Sequence, residues 1–443
     1  MSSTYHLNYY SRVFELMIEH HNWMSKTINL IASENIASPA VREAMICDFH
    51  NRYAEGWPGE RVYAGCKYID QVELLTIELA KKIFNAEFVD VRPISGVVAN
   101  LVVYTAFTEP GDVMMSLSIP CGGHISTGKK ELWGTAGIVH GLNVEYFPYD
   151  IDELNIDVDA TIKRIKTLKN ENKPIKLLMF GASVFPFPHP VKEIAPIAHD
   201  LGITVAYDAA HVLGLIAGGF FQDPLREGVD VISASTHKTL PGPQHGIVIS
   251  WSKYSDLIKK SSFPGLLSNH HLHNVAALCI ALSEMAQFGR EYAKQIIKNA
   301  KALAQALHER GFKVLGERKG FTQSHVVLLD TVASCGIGGH EAERRLEDSN
   351  IIVNRNLLPY DLKKYKRHYM DPGGIRLGTA EVTRLGMKES DMEAIADFIT
   401  DVLIKNKPSI EVSKSVAEFR RNFNKCHYCF DSVREAYEYI KLR

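Results

Sequence analysis

Lys238 stands in the segment Ser233-Ala-Ser-Thr-His-Lys238-Thr-Leu-Pro-Gly242, just after the apolar run 229–232. Asp208 closes an earlier apolar run and opens Asp208-Ala-Ala-His211. A lysine on a polar turn after one strand, with an acid at the end of the strand before it, suits pyridoxal phosphate (PLP). The aldehyde of that cofactor needs an amine to form an imine, and its ring nitrogen needs a carboxylate to stay protonated so that the ring accepts electrons. The same pair also fits a surface lysine and a turn aspartate, so other segments must decide.

Ser95 and Gly96 follow a strand-like run and precede an apolar helix. Free backbone N–H groups at such a helix start can hold a phosphate, and Ser95 can cap the helix at the same time. His124 sits on the glycine-rich turn Cys121-Gly-Gly-His124, where an imidazole can stack on a planar ring or simply be a loop histidine. Residues 51–63 are dense in acids, arginines and phenols, among them Tyr53, Glu55 and Tyr63, and are punctuated by Gly and Pro. That stretch is either a solvated loop or a source of a proton-transfer carboxylate and hydroxyl donors. Arg376 lies inside the apolar run Gly373-Gly-Ile-Arg376-Leu-Gly378, where a cation without an anion is costly. Its partner is a substrate carboxylate, gripped bidentately, or an internal Asp or Glu.

Seven short β-rich runs must position these groups: 88–91, 112–116, 143–147, 176–181, 203–208, 230–234 and 246–250. Several are nearly continuous apolar runs, which suits strands covered on both faces, and helical or loop segments separate them. The pattern predicts an α/β fold with a mostly parallel seven-stranded sheet. Helical periodicity appears at Leu75, Leu79 and Ile83, over 97–107 and over 275–288. A further helical stretch at 291–310 carries the chain onward to strand-like 324–330, which opens a smaller C-terminal α+β domain. The expected division is a helical arm over 1–27, a large domain over 28–290 and a small domain over 291–443. Two polar loops are expected, 317–323 and 359–374. The second holds Lys363, Lys364, Lys366, Arg367 and His368, and is either functional or a solvated charge run.

Composition excludes several classes. The 443 residues are 46% hydrophobic and 23% charged, as in ordinary globular chains of two domains. Fifty basic side chains nearly cancel 51 acidic ones, so no global charge points to nucleic acid or an anionic membrane surface. No apolar run reaches the roughly 18 residues of a membrane span, and the first residues do not read as a secretory signal. A cytoplasmic protein is expected. Seven scattered cysteines do not form a disulfide framework. The pair Cys426-His-Tyr-Cys429 lacks the second pair that structural zinc requires, so no metal is expected.

Taken together, eight collinear segments resemble the serine hydroxymethyltransferase family, whose members are PLP-dependent enzymes of fold type I, with an aspartate aminotransferase-like large domain. They are Leu30-Ile-Ala-Ser-Glu-Asn35, Arg52-Tyr-Ala-Glu-Gly56, Asp70, Ser95-Gly96, Gly122-Gly-His124, Asp208-Ala-Ala-His211, Thr236-His-Lys-Thr239 and Gly374-Ile-Arg-Leu-Gly-Thr379. Variant forms such as Ser95-Gly-Val-Val-Ala-Asn100 look most like the archaeal branch.

The resemblance implies Lys238 as the imine lysine, Asp208 as partner of the pyridine nitrogen and His124 as the residue stacked on the ring. It implies Ser183 and His211 near the 3-oxygen, Ser95 and Gly96 at the phosphate, and Ser235 and His237 flanking the lysine. Arg376 and Ser33 would bind the amino-acid carboxylate, Glu55 would manage a proton, and Asn356 would meet a pterin. Tyr53, Glu55 and Tyr63 would approach the active site of a neighbouring subunit, which makes a homodimer the smallest active unit. The implied reaction is the reversible conversion of L-serine and a tetrahydropterin to glycine and the methylene-tetrahydropterin through an external aldimine. The tetrahydropterin would be tetrahydrofolate or tetrahydromethanopterin. A pterin-independent threonine or β-hydroxy-amino-acid aldolase is the nearest alternative, and a silent RNA-binding relative is a more distant one.

Three positions depart from the family pattern. Val97 stands where many members carry a second phosphate-binding serine, and Gln244 replaces a common arginine. Residues 263–271 replace a glycine-rich run that supplies phosphate contacts across the dimer. Lysine, aspartate and arginine all survive, so PLP chemistry is expected. The basic loop 363–368 would favour a pterin with an acidic tail.

Overall fold

The computed structural model describes residues 4–430 and 433–442. Seven strands form one sheet in the spatial order Phe88–Asp90, Gly246–Ser250, Val231–Ser235, Thr204–Asp208, Ile175–Gly181, Val113–Ser116 and Asn143–Tyr146. Gly246–Ser250 runs antiparallel to both of its neighbours, and all other pairs are parallel. The central strands are buried along almost their whole length, which is why they read as continuous apolar runs rather than alternating ones. All seven expected strands are present, and their ends differ from the expected ones by one residue at most.

At the carboxyl ends of these strands the backbone is drawn unusually close. Gly181 ends its strand with φ of +89°, and a Cβ there would lie 2.0 Å from the carbonyl oxygen of Asp208. Only glycine permits both the left-handed backbone and that approach. The strand ends bearing Asp208 and Ser235 therefore open onto a shared crevice. Crevices of this kind, outside the carboxyl ends of α/β strands, are where such sheets bind ligands.

Residues 275–288 and 291–310, expected as separate helical stretches, belong to one helix, Leu272–Glu309. Gly289 and Arg290 interrupt the apolar pattern without ending the helix, and Gly218 packs directly against the backbone of Gly289. Val275 through Ile296 face the core beneath the seven-stranded sheet, and Ala300 through Leu307 face a second core. That second core lies under a four-stranded antiparallel sheet in the order Lys313–Val314, Val326–Asp330, Gly374–Gly378 and Asn354–Asn356.

Residues 28–30 differ from expectation. Ile28–Asn29 pairs in parallel with Ile351–Ile352, and Ile28 and Leu30 pack into the second core rather than the first. The chain then turns back along the strand bearing Arg376. Gly378 accepts this close passage: its N–H donates to Leu30 O at 2.8 Å, and a Cβ there would sit 2.3 Å from Ala32 Cα. Ser33 is thereby fixed beside Arg376's strand. Helix Thr4–Met24 precedes this segment with Leu7, Val13, Leu16 and Met17 exposed. Within loop 359–374, residues 361–365 form a helical turn. Among the described residues no helix is long and apolar enough to cross a membrane.

Candidate active site

A cavity of about 200 Å³ lies at the carboxyl ends of the central strands, lined by Ser95, Gly96, His124, Ser183, Asp208, His211, Ser235, His237 and Lys238, with Asn100 and Ser126 behind them. Nine positions singled out in the sequence thus meet in one place. The volume falls below the roughly 300–1,000 Å³ typical of drug-sized ligands, which suits a single small ring with its substituents.

Helix Gly96–Phe107 begins at the cavity wall. The Ser95 hydroxyl accepts the N–H of Val98 at 3.2 Å, and the Ser95 carbonyl accepts that of Ala99 at 2.9 Å. The cap thus leaves the N–H groups of Gly96 and Val97 unused by the helix, at the positive end of its dipole. The capping reading of Ser95 holds, and it leaves these two amides available to an anion. Val97 has no side-chain donor, but its backbone N–H serves an anion equally well.

Asp208 is buried, and its carboxylate accepts from Asn100 Nδ2 at 2.9 Å and from the Ala210 N–H at 3.0 Å. No basic side chain lies within ion-pair distance of it among the described residues, and Lys238, across the same cavity, does not reach it. Asn100 also donates to Ser126 Oγ at 2.9 Å and accepts from Ser233 Oγ at 2.6 Å. Ser126 in turn holds His124: its backbone N–H reaches His124 Nδ1 at 3.1 Å and its Oγ lies 2.7 Å from the same atom. One asparagine therefore orients both the acid and, through Ser126, the imidazole. A polar side chain one turn into an otherwise apolar helix is the sequence signal for Asn100.

Burial lowers the pKa of Lys238 to about 8 against the opposing pull of Asp208, and nearby Arg376 lowers it further. The amine is thus partly neutral near physiological pH, as a carbonyl-attacking nucleophile must be. Asn35 donates to the Lys238 backbone carbonyl at 2.6 Å and to Tyr292 Oη at 2.8 Å, which pins the lysine turn to the long helix. Burial also pulls His124, His211 and His237 below the ordinary imidazole range, so all three are neutral. Nδ1 of His237 is buried without a partner.

Arg376 is 8% exposed and has no carboxylate partner among the described residues. Its Nε donates to Asn354 Oδ1 at 3.0 Å and its Nη1 to the Ser183 carbonyl at 2.9 Å, both neutral acceptors. The internal Asp or Glu is absent, and burial pushes the guanidinium down to about 10. A buried cation so placed favours an anionic ligand. Asn356, at the end of Arg376's neighbouring strand, lines a second cavity of about 310 Å³ with Arg355, Leu357 and Tyr369. The two cavities share His124 and Ser183.

Tyr53, Glu55 and Tyr63 do not line either cavity. Tyr53 and Tyr63 are exposed, with ring centroids 5.3 Å apart. Their loop is clamped by the segment that departs from the family pattern. Asn269 Nδ2 donates to Arg52 O, Asn269 Oδ1 accepts from the Ala54 N–H, both at 3.0 Å, and Ser268 Oγ donates to Glu55 Oε1 at 2.7 Å. In the basic loop, Arg367 is committed to buried Asp361 at 3.0 Å, and Lys364 lies over the Tyr365 ring. No group of three or more His, Cys, Asp or Glu among the described residues is arranged to hold a metal ion, and burial pushes the Cys426 thiol up to about 12.

A buried amine and a buried carboxylate that face one cavity without pairing, beside a helix start ready for a phosphate, fit PLP. The sheet order and this placement define a PLP-dependent enzyme of fold type I. The serine hydroxymethyltransferase family model matches residues 8–399. The chain is 56% identical over 434 residues to the serine hydroxymethyltransferase of Nitrosopumilus maritimus, with 98% of each chain covered. It is 52% identical to that of Methanocaldococcus jannaschii, with 97% of each covered, and 49% identical to that of Pyrococcus furiosus, with 96% and 97% covered. The chain belongs to the serine hydroxymethyltransferase family. Its reaction is the reversible conversion of L-serine and a tetrahydropterin to glycine and the methylene-tetrahydropterin, with PLP as cofactor; the aldolase alternative is not favoured.

Proposed function

We propose that Lys238 is the covalent anchor of the cofactor aldehyde, that Asp208 keeps its ring nitrogen protonated, and that His124 covers one face of its ring. Ser95 and the amides of Gly96 and Val97 hold the phosphate, Ser235 and His237 flank the anchor, and Ser183 and His211 meet the 3-oxygen. When bound, PLP supplies an electron sink for the pair left on Cα as the Cα–Cβ bond of serine breaks. Arg376 and Ser33 would grip the serine carboxylate and so fix the orientation of the bound amino acid. Glu55 moves the proton of the serine hydroxyl or of the pterin acceptor, and Asn356 binds the pterin in the second cavity.

The observation that carries this reading is Arg376, a buried guanidinium whose partners among the described residues are all neutral. Titration of the Lys238→Ala protein with PLP tests the anchor. The absorbance band of the covalently held cofactor should be lost, and a band that persists would overturn the assignment.

The active unit in this reading is a homodimer with shared sites. Glu55, Tyr53 and Tyr63 stand outside their own chain's two cavities, and Val62 beside Tyr63 and Tyr68, Leu74 and Leu75 on the helix that follows are exposed. A second copy would cover that surface and bring Glu55 to its site. Small-molecule partners and a near-neutral charge balance leave no role for nucleic acid. Seven cysteines scattered along the sequence without a disulfide framework's spacing suit a reducing, cytoplasmic setting. Exposed Lys364, Lys366 and His368 favour a pterin with an acidic tail. Initial rates with tetrahydrofolate and tetrahydromethanopterin, each with and without charged tail groups, decide that preference, and indifference to the tail removes it.

A further inference from the structure

His325 opens the strand Val326–Asp330 of the small sheet and has no exposed surface. Its Nε2 lies 3.0 Å from the carbonyl oxygen of Ala32 and 3.3 Å from Nδ1 of His211, with the two rings nearly parallel at 24°. Three parts of the chain that are remote in sequence thus meet at one ring nitrogen. They are the 30–33 segment, the cofactor cavity wall and the small sheet.

The proton positions follow from the partners. A carbonyl oxygen only accepts, so Nε2 of His325 carries the proton. Nδ1 of His325 is buried without a partner, and burial pushes the ring down to about 3, so no second proton is held there. A protonated Nε2 has no lone pair to offer His211. An N–H on Nδ1 of His211 would therefore point at another N–H across 3.3 Å. Nδ1 of His211 must present its lone pair instead, as second acceptor of a shared proton, and the His211 proton must sit on Nε2. Burial holds His211 neutral as well.

We propose that His325 is a positioning residue for the reaction: it fixes His211 as the Nε2–H tautomer, so that the cavity receives a hydrogen-bond donor. The same proton ties down the carbonyl of Ala32, the residue before Ser33. His325 thereby couples the orientation of a cofactor-facing donor to the placement of the carboxylate-binding segment. This inference rests on the proposed role of His211. A donor at that point stabilises an oxygen carrying negative charge, whereas the other tautomer would oppose it lone pair to lone pair.

Solid-state NMR of ¹⁵N-histidine-labelled protein, without and with PLP, reads the tautomer directly. The wild type should show His211 with its proton on Nε2 in both forms, and a proton on Nδ1 would overturn the proposal whether or not any variant folds. His325→Phe keeps the volume but removes the donor, and should weaken PLP binding about tenfold with a displaced absorbance maximum. His325→Gln, whose amide can donate to Ala32 O and to His211, should restore both. A His325→Phe protein with unchanged affinity and spectrum counts against the proposal. His211→Ala separates the two ideas. If it binds PLP like the wild type, the assignment of His211 itself fails. If it loses affinity while His325→Phe does not, only the role of His325 fails.

Discussion

Arg376 donates Nη1 to the backbone carbonyl of Ser183 at 2.9 Å, a neutral acceptor for a buried cation. The bond fixes the guanidinium in position but does not neutralise it. Strand Gly374–Gly378 carries the cation, and the turn bearing Ser183 sits between the two cavities. Closing the small sheet onto the large one is what brings them together.

Arg376→Ala should raise the KM for serine roughly a hundredfold, equivalent to about 3 kcal/mol for loss of a buried charged contact. PLP affinity should change little, and Arg376→Lys should recover only part of the loss because an ammonium cannot grip a carboxylate bidentately. Equal loss of serine and PLP binding would remove the carboxylate role.

Lys238 gives a pH dependence with a defined sign. Its folded pKa is lowered to about 8, first by burial, so the reactive neutral amine grows as pH rises through that value. Stopped-flow mixing of PLP with the cofactor-free protein should show an association rate that climbs about tenfold per unit below pH 8 and levels above it. A midpoint near the ordinary lysine value would mean that the amine is not desolvated before the cofactor arrives.

Ser268 and Asn269 should matter to turnover rather than to PLP binding. Each clamps the Glu55 loop, so Ser268→Ala and Asn269→Ala should lower kcat about five- to tenfold, at ~1 kcal/mol net per hydrogen bond. Ser268→Thr should retain activity. Loss of PLP affinity with kcat intact would assign the segment to the phosphate instead.

Mixed dimers test the shared site. Lys238→Ala and Glu55→Ala subunits, each inactive alone, should regain about a quarter of wild-type activity when unfolded and refolded together, because half of randomly paired dimers carry one intact site of two. Mixtures as inactive as their components would show that each chain supplies its own acid.

Much of the site was legible because its groups sit where the chain changes element. Lys238, Asp208 and Ser95 stand at strand or helix ends, and polar residues at such junctions mark themselves. The supporting residues did not. Asn100 reaches Asp208 across 108 positions and His325 reaches Ala32 across 293, and no local pattern records such distances. The placement of residues 28–30 was hidden for a related reason: an apolar strand declares that it is buried, but not in which core. Arg376 shows the opposite case. Its type and apolar surroundings call for an anion, and only the assembled structure shows that no described carboxylate provides one.

Helix Leu272–Glu309 has a thermodynamic consequence. At 1.5 Å per residue its 38 residues extend roughly 57 Å. Its longer N-terminal part, through Ile296, is an integral wall of the first core, and its C-terminal part, from Ala300, is a wall of the second. Unfolding either core strips apolar cover from a rod that the other core needs, so the cost of partial melting is felt at both ends. The chain therefore has two main sheets but one cooperative unit, and heat should dismantle it in a single transition rather than sheet by sheet.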